Sequence, residues 1–458
     1  MIKSYIFLWF SLLTLISHGQ QIDDLQINPL LIDRSFQELK NPLVLNDFFQ
    51  KLQELESGNR SQVTVIQIGD SHVQGPYFPQ YIRQGLQNKF GNAGRGFVFP
   101  YRVAGTNGAV DVKFKASGDW KAVRNVKSNG GDDVGLSGIN LETTDSDFLM
   151  EINLGETLED LTEIKIVSPH PERFKLSLAD KSDLLQQVNT NKTYKVAPGD
   201  YLGKIAAQFH TSVQKIQQVN GMNNANLRAG QTLQIPTGSA QNQIMSNTSF
   251  TDLTSVNGIV YQIPPRVHQL YLRPAQKESK YLLDGLLLST GKKGVNFHGI
   301  GVNGTKFSDY NMFPRFFDQI AALNPDLIII SLGTNESFYD PYTEEKLKSA
   351  MDVFNREMIK RGMTGSVLLT SPPPSMKNRQ QINYTATAYA YEMGVFANLN
   401  SWAFYDLHSV SKTSNAMPYW YDANLTSSDK IHFLEKGYQL QALLLVESLF
   451  NSYADYKK

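Results

Sequence analysis

The sequence predicts an α/β protein: a doubly wound parallel sheet, interrupted by an inserted β-sandwich that itself carries a small β-α-α-β module. Three observations lead there. Short aliphatic or β-branched runs alternate with helix-like segments early in the chain and again from Phe316 onward. Between them, after about Val110, the texture changes to alternating apolar and polar residues broken by Gly, Asp and Asn. Within that middle stretch, residues 191–238 form a compact segment with a pattern of its own.

Each element follows in order. The lead-in, 20–60, carries an amphipathic helix near Leu43 to Leu55, with Leu45, Phe48, Phe49 and Leu52 on one face. Val63-Thr64-Val65-Ile66-Gln67-Ile68 is the kind of run that forms a buried parallel strand, and helix-like sequence follows from Phe78 to Phe90. Residues 61–110 are thus the first part of the α/β domain. The alternating segments Val112–Lys115, Phe148–Ile152, Phe174–Leu178, Val267–Leu272 and Leu282–Leu288 read as half-buried antiparallel strands. They predict a β-sandwich in two parts, 111–190 and 239–293. From 294 to 458 the α/β domain resumes, with strands at Leu327–Leu332, Ser366–Thr370 and Ala403–Leu407 and helices at Glu344–Arg361, Ile382–Leu399 and Leu434–Leu449.

Composition narrows the class. A chain of 458 residues exceeds one ordinary hydrophobic core, in keeping with several domains. Lys+Arg and Asp+Glu balance at 43 each, which argues against a nucleic-acid partner bound by phosphate neutralisation. Lys3, the apolar run Tyr5–Ile16 and the small residues Ser17 and Gly19 read as a signal peptide over 1–19. Export to the periplasm or the extracellular space is therefore expected. No other stretch is apolar enough to span a bilayer, so no membrane association is expected after cleavage. There is no cysteine, which excludes disulfides and Cys-ligated metal. Eight histidines without a His-x-x-x-His or carboxylate cluster give no metal signal, and no cofactor is expected.

Within 191–238, Tyr194-x-Val196-x-x-Gly199-Asp200-x-Leu202-x-x-Ile205-Ala206, then Ile216, Asn220, Leu227 and Gly230-Gln231-x-Leu233-x-Ile235-Pro236, resembles a LysM domain. Asp200 is expected to cap a helix carrying Leu202, Ile205 and Ala206, and Thr211 a second carrying Val213 and Ile216. Strands at Tyr194–Val196 and Thr232–Ile235 would pair. The resemblance implies a groove for glycans containing N-acetylglucosamine, lined by Gly199, Asp200, Tyr201, Leu202, Asn226 and Leu227, with Tyr201 where the family usually has Ser or Thr. Asp200 and Gly199 read equally well as cap and turn.

Directly after the strand ending at Ile68 stands Gly69-Asp70-Ser71-His72. A serine in a turn at the carboxyl end of the first strand is where α/β sheets place nucleophiles. Two further elements are Gly301-Val302-Asn303-Gly304-Thr305 and Gly333-Thr334-Asn335-Glu336, and a fourth is Ser428-Asp429-Lys430-Ile431-His432 before the last helix. In this order they resemble the SGNH (GDSL-like) hydrolases, whose fold is flavodoxin-like. The resemblance implies Ser71 as nucleophile, His432 as base, Asp429 as its orienting partner, and an oxyanion hole of the Ser71 N–H, the Gly304 N–H and the Asn335 amide. His72 stands where leucine is commonest and is given no role, and His298 and His408 are read as structural.

A β-sandwich between the serine strand and the glycine turn is similar to the architecture of peptidoglycan O-acetylesterases, as is Ala403–Leu407 followed by Asp429-x-x-His432 and Gly437-Tyr438. That implies an exported esterase removing acetyl groups from N-acetylmuramic acid through an acetyl-enzyme. An esterase or acetyltransferase acting on another acetylated polysaccharide remains an alternative, as does a non-catalytic glycan-binding protein.

Overall fold

The computed structural model describes residues 25–458, apart from 129, 131–132, 156–157, 159, 210, 245–247, 339–342 and 364. The signal peptide expected at 1–19 lies outside the described residues.

Five parallel strands form the central sheet, in the order Gly294–Gly301, Gln62–Gly69, Leu327–Ser331, Ser366–Thr370, Ala403–Tyr405. Successive residues of each strand serve opposite faces. Val63, Val65, Phe297 and Ile329 pack with the helices Asn46–Ser57, Tyr77–Phe90 and Glu435–Tyr456. Ile66, Ile68, Ile300 and Ile330 pack with Pro314–Ala321, Glu344–Lys360 and Tyr384–Leu399. Burial on both faces is why these strands read as unbroken aliphatic runs. The doubly wound sheet is therefore as expected, and the first strand lies second in it, between its later neighbours Gly294–Gly301 and Leu327–Ser331. The chain runs one way from this strand and then the other, so a crevice opens beyond its carboxyl end, the usual ligand position in such folds.

Between the first two strands of that sheet lie two five-stranded antiparallel sheets and one of three strands. They share a core that includes Phe114, Ile152, Ile164, Phe174, Leu272 and Leu286. Gly96–Val98 already pairs with Gly285–Ser289, so the antiparallel layer begins ahead of position 111. The run Leu282–Leu288 is also two strands rather than one. Tyr281–Leu283 pairs with Ile139–Thr143, and Gly285–Ser289 with Glu163–Val167. The corner between them is Asp284, fully buried and bonded by Arg315 and by Gln319 Nε2 (2.8 Å), both on the helix Pro314–Ala321. A carboxylate that fastens the sandwich to the α/β domain looks, in sequence, like an interruption of one apolar strand.

The inserted module has the expected order of strand, two helices and strand, but its strands are longer. Leu185–Lys195 and Thr232–Ile244 pair as an antiparallel ribbon, with an irregularity between Pro236 and Ala240. The module thus stands on a two-stranded stalk. Its caps also differ from expectation. Tyr201 occupies the N-cap of the helix Leu202–Gln208 without a side-chain bond. Asp200 instead accepts from Tyr194 Oη (2.6 Å), the Ala197 N–H (2.9 Å) and Lys204 Nζ (2.9 Å). Ser212, not Thr211, caps Val213–Val219, because it directly precedes the helix and its hydroxyl accepts the Lys215 N–H, while the Thr211 N–H closes the preceding helix on the Ala206 carbonyl. Among the described residues no helix is long and apolar enough to cross a membrane.

Candidate active site

Ser71 opens the short helix Ser71–Gln74 directly beyond the strand Gln62–Gly69. Asp70 caps that helix, its Oδ1 accepting the His72 N–H at 2.9 Å. The turn can sit this close to its neighbour only because Gly301 has no side chain. A Cβ there would fall 2.3 Å from the Gln74 nitrogen and 2.6 Å from the Asp70 carbonyl oxygen, both backbone atoms.

From the other end of the chain, Asp429 and His432 reach the same turn. His432 Nε2 lies 2.9 Å from Ser71 Oγ, and His432 Nδ1 lies 2.7 Å from Asp429 Oδ2. Asp429 is itself held in place, its Oδ1 accepting from Ser427 Oγ (2.6 Å) and from the N–H groups of Ile431 (2.8 Å) and His432 (3.0 Å). Burial pushes the Asp429 carboxyl up, but these bonds outweigh it and hold the group well below the usual carboxylate range. The bond to Asp429 in turn raises the His432 imidazole above its ordinary value. With an acceptor on Nδ1, the neutral ring keeps its proton there and turns the Nε2 lone pair toward the serine hydroxyl.

The three proposed anion donors belong to segments that the structure ties together. Asn335 Nδ2 donates to the Thr305 carbonyl at 2.9 Å and lies 3.4 Å from Asp70 Oδ2. Asn335 is thus fixed between the residue after Gly304 and the residue before Ser71. One amide hydrogen is taken by Thr305, and the other has only the long contact to Asp70. Gly304 adopts φ +85°, which suits glycine.

Two residues that the sequence reading did not single out build this arrangement. Glu336 is fully buried and accepts the Phe307 N–H (2.9 Å) and the Gly333 N–H (3.1 Å), joining the loop after Gly304 to the loop before Asn335. Desolvation pushes its carboxyl up to about 7, and likewise that of buried Asp70 to about 6. Gln74 accepts the Asn303 N–H at 2.7 Å and donates to Thr106 Oγ1 at 3.0 Å, locking the glycine turn to the serine helix. The only signal for either was adjacency to a motif. His72 packs against the site, its ring 5.3 Å from that of His432 and its Nδ1 2.9 Å from the Tyr438 hydroxyl. Burial holds it well below the ordinary histidine value, so it stays neutral beside His432.

In the inserted module the expected glycan residues divide. Leu202 is buried in the module's core, Leu227 packs against that core, and Asp200 is occupied by its three bonds. Tyr201 is 64% exposed, Asn226 is exposed, and Gly199 holds a turn at φ +83°. Among the described residues no group of His, Asp and Glu is arranged to hold a metal ion.

Comparison with known proteins agrees with both halves of the architecture. Residues 194–236 match the LysM domain, and residues 265–440 match the GDSL-like lipase/acylhydrolase family. The second span contains Gly304, Asn335, Asp429 and His432, while Ser71 lies ahead of the insert and outside it. An N-acetylmuramoyl-L-alanine amidase, sle1, of Staphylococcus saprophyticus is 34% identical over 99 residues, 22% of this chain and 30% of the amidase. A probable endopeptidase p60 of Listeria seeligeri is 49% identical over 49 residues, 10% of this chain and 9% of the endopeptidase. The chain thus spans less than a third of the length of these curated relatives. A solved structure of a peptidoglycan O-acetylesterase shares the fold, with a TM-score of 0.61 and 18% identity over 89% of this chain and 96% of that one.

Proposed function

Because the chain joins a GDSL-like lipase/acylhydrolase domain to a LysM domain, we propose that it is a serine esterase that removes O-acetyl groups from cell-wall glycan, acting on N-acetylmuramic acid of peptidoglycan. The observation that carries this reading is the relay of Asp429, His432 and Ser71, with contacts of 2.7 and 2.9 Å, at the carboxyl edge of the parallel sheet. The wall-related names of the curated relatives and the O-acetylesterase fold neighbour support the choice of substrate. The charged and apolar residues of 1–19 support export to the periplasm or the cell exterior, where that substrate lies.

The chemistry follows from the relay. His432 Nε2 takes the Ser71 hydroxyl proton as Oγ attacks the acetyl carbonyl carbon, and Asp429 stabilises the imidazolium that results. The carbonyl π electrons move to oxygen, and the anion is met by the N–H groups of Ser71 and Gly304 and the Asn335 amide hydrogen that has only the long contact to Asp70. His432 then returns its proton to the leaving sugar oxygen, leaving an acetyl group on Ser71. Water repeats the cycle, releasing acetate and restoring the serine. The LysM module raises the concentration of the esterase at the wall, so that many ester bonds meet one tethered active site.

The test is acetate release from O-acetylated peptidoglycan by the mature protein, beside Ser71→Ala and a chemically de-acetylated control. Release should fall by about 10⁴-fold or more in the variant, as expected when a triad nucleophile is removed. Ser71-dependent hydrolysis of an aryl acetate without release from the wall would overturn the substrate and keep the esterase. Inactivity toward both would overturn the enzyme itself.

A further inference from the structure

A groove of about 550 Å³ runs along the foot of the LysM stalk. On the sandwich side it is lined by Trp120, Asp119 and Arg102, and on the stalk side by Leu185, Gln187 and Asn242. The two sides are fastened together, Asn242 Nδ2 donating to the Ala116 carbonyl at 3.1 Å. Trp120 is half-buried and held in one orientation. Its ring stands edge-on to Phe148 at 5.0 Å, and its Nε1–H is donated to the Ser117 carbonyl at 3.0 Å. Of the four tryptophans, Trp402 is 4% and Trp420 0% exposed, and Trp9 lies outside the described residues. Trp120 is therefore the one partly open indole among the described residues.

An oriented indole beside amide and guanidinium groups in a groove of this size matches the needs of a pyranose ring. The axial C–H face of the sugar packs on the aromatic face, while its hydroxyls and acetamido group take the polar partners. Lys115, also in the groove, is turned to Glu151 at 3.4 Å, leaving Arg102 and Asp119 of opposite sign, so an uncharged sugar fits better than an ionic one.

The groove is also coupled to the serine. Arg102 and Val103 line it from the loop 100–108, and the far end of that loop meets the candidate active site. There Gln74 donates to Thr106 Oγ1 at 3.0 Å and to the Asn107 carbonyl at 2.5 Å, and Asn303 Nδ2 donates to Asn107 Oδ1 at 2.6 Å. One short loop thus touches the serine helix and the glycine turn at one end and the groove at the other.

We propose that this groove is a second glycan subsite, in which Trp120 stacks on an uncharged N-acetylated hexose of the strand whose acetyl ester lies at Ser71. The subsite seats the glycan between the LysM module and the nucleophile. Its tie to the serine rests on the esterase reading above, but sugar binding in the groove does not.

The experiment uses the full chain with Trp120→Ala and Gln187→Ala. De-O-acetylated glycan oligosaccharides of increasing length are titrated while tryptophan emission is followed. Residues 191–238 contain no tryptophan, so binding at the LysM module alone leaves the emission unchanged. Saturable change is expected in the wild type and none in Trp120→Ala. For long O-acetylated strands, KM should rise about 3- to 10-fold in Trp120→Ala, the worth of one aromatic contact, and about 2- to 10-fold in Gln187→Ala, the worth of one hydrogen bond. In both, kcat and aryl acetate hydrolysis stay as in the wild type. Gln187 is exposed, so its variant carries the test if removing the indole from beside Phe148 unfolds Trp120→Ala. Unchanged KM in the folded variants, or flat emission in the wild type, overturns the subsite. Emission that still responds in a protein inactive on both O-acetylated glycan and aryl acetate overturns the esterase reading and keeps the groove as a sugar site.

Discussion

The turn that holds Ser71 and the first loop of the LysM module are both short and both carry a glycine followed by an aspartate, but they spend their polar groups differently. At the serine turn, Asp70 and Asp429 satisfy backbone N–H groups and still leave Ser71 Oγ to His432 Nε2 and one Asn335 hydrogen with only a long contact to Asp70. At the LysM loop, Asp200 spends its carboxylate on Tyr194, Ala197 and Lys204, and Leu202 is consumed by packing. A residue that belongs to a motif is therefore not always available to a ligand. What separates the two loops is whether any donor or acceptor remains after the fold has been satisfied.

The largest effect that would sharpen this contrast comes from Asn335→Ala. It removes a side chain whose second hydrogen has no close partner, and kcat on an aryl acetate should fall by about 10²–10³. Folding should survive, because the substitution breaks one short hydrogen bond, that to the Thr305 carbonyl. A rise in KM alone, with kcat kept, would place Asn335 in binding and break its assignment to the developing anion. Thermal unfolding of the same sample distinguishes either result from collapse of the turn.

The next effect is in pH. His432 must be neutral to accept the serine proton, and the bond to Asp429 raises its pKa above the ordinary 6.5. The neutral fraction is lost as pH falls through that raised value, so kcat/KM should drop about tenfold per pH unit on an acid limb lying above 6.5. Asp429→Asn removes the charge that raises the imidazole, and the limb should move down while the plateau falls. His72 stays neutral across this range and adds no limb of its own. A limb that fails to move in Asp429→Asn would mean that another group sets the pH dependence.

Much of this was legible in the sequence wherever the signal was local. The parallel strands read as aliphatic runs because both faces are buried, and Ser71, Asn335, Asp429 and His432 each lie beside a strand end or helix start that the pattern located. The unread parts depend on distant partners. Gln74 acts on Asn303 and Glu336 on Phe307, 229 and 29 residues away along the chain, and neither spacing leaves a local pattern. The corner at Asp284 hides inside an apolar run because its partners, Arg315 and Gln319, belong to another domain. The stalk went unseen for a different reason. Gln186-Gln187-Val188-Asn189-Thr190-Asn191 has no apolar alternation, and its strand state goes with pairing to 236–243, a partner about 50 residues away in the sequence.

The smallest effects lie in the LysM loop, where two adjacent residues should fail in opposite ways. Leu202 is 2% exposed in a small core with Ile205, Ile216 and Leu233, so Leu202→Ala should cost about 2–5 kcal/mol. That is enough to loosen a module this size, and wall binding should disappear together with amide protection of its two helices. Tyr201 is 64% exposed, and Tyr201→Ala should change stability by less than about 0.5 kcal/mol. If its ring meets the glycan, binding should weaken by about 3- to 10-fold, the worth of one aromatic contact, with the module still folded. Neither change should alter aryl acetate hydrolysis, since the module is joined to the rest through its stalk and contributes no residue to the serine turn. Hydrogen exchange and wall pull-down on the same preparations separate the cases. If Leu202→Ala binds as poorly as Tyr201→Ala while its helices remain fully protected, Leu202 contacts the glycan and the division between packing and recognition within this loop is wrong.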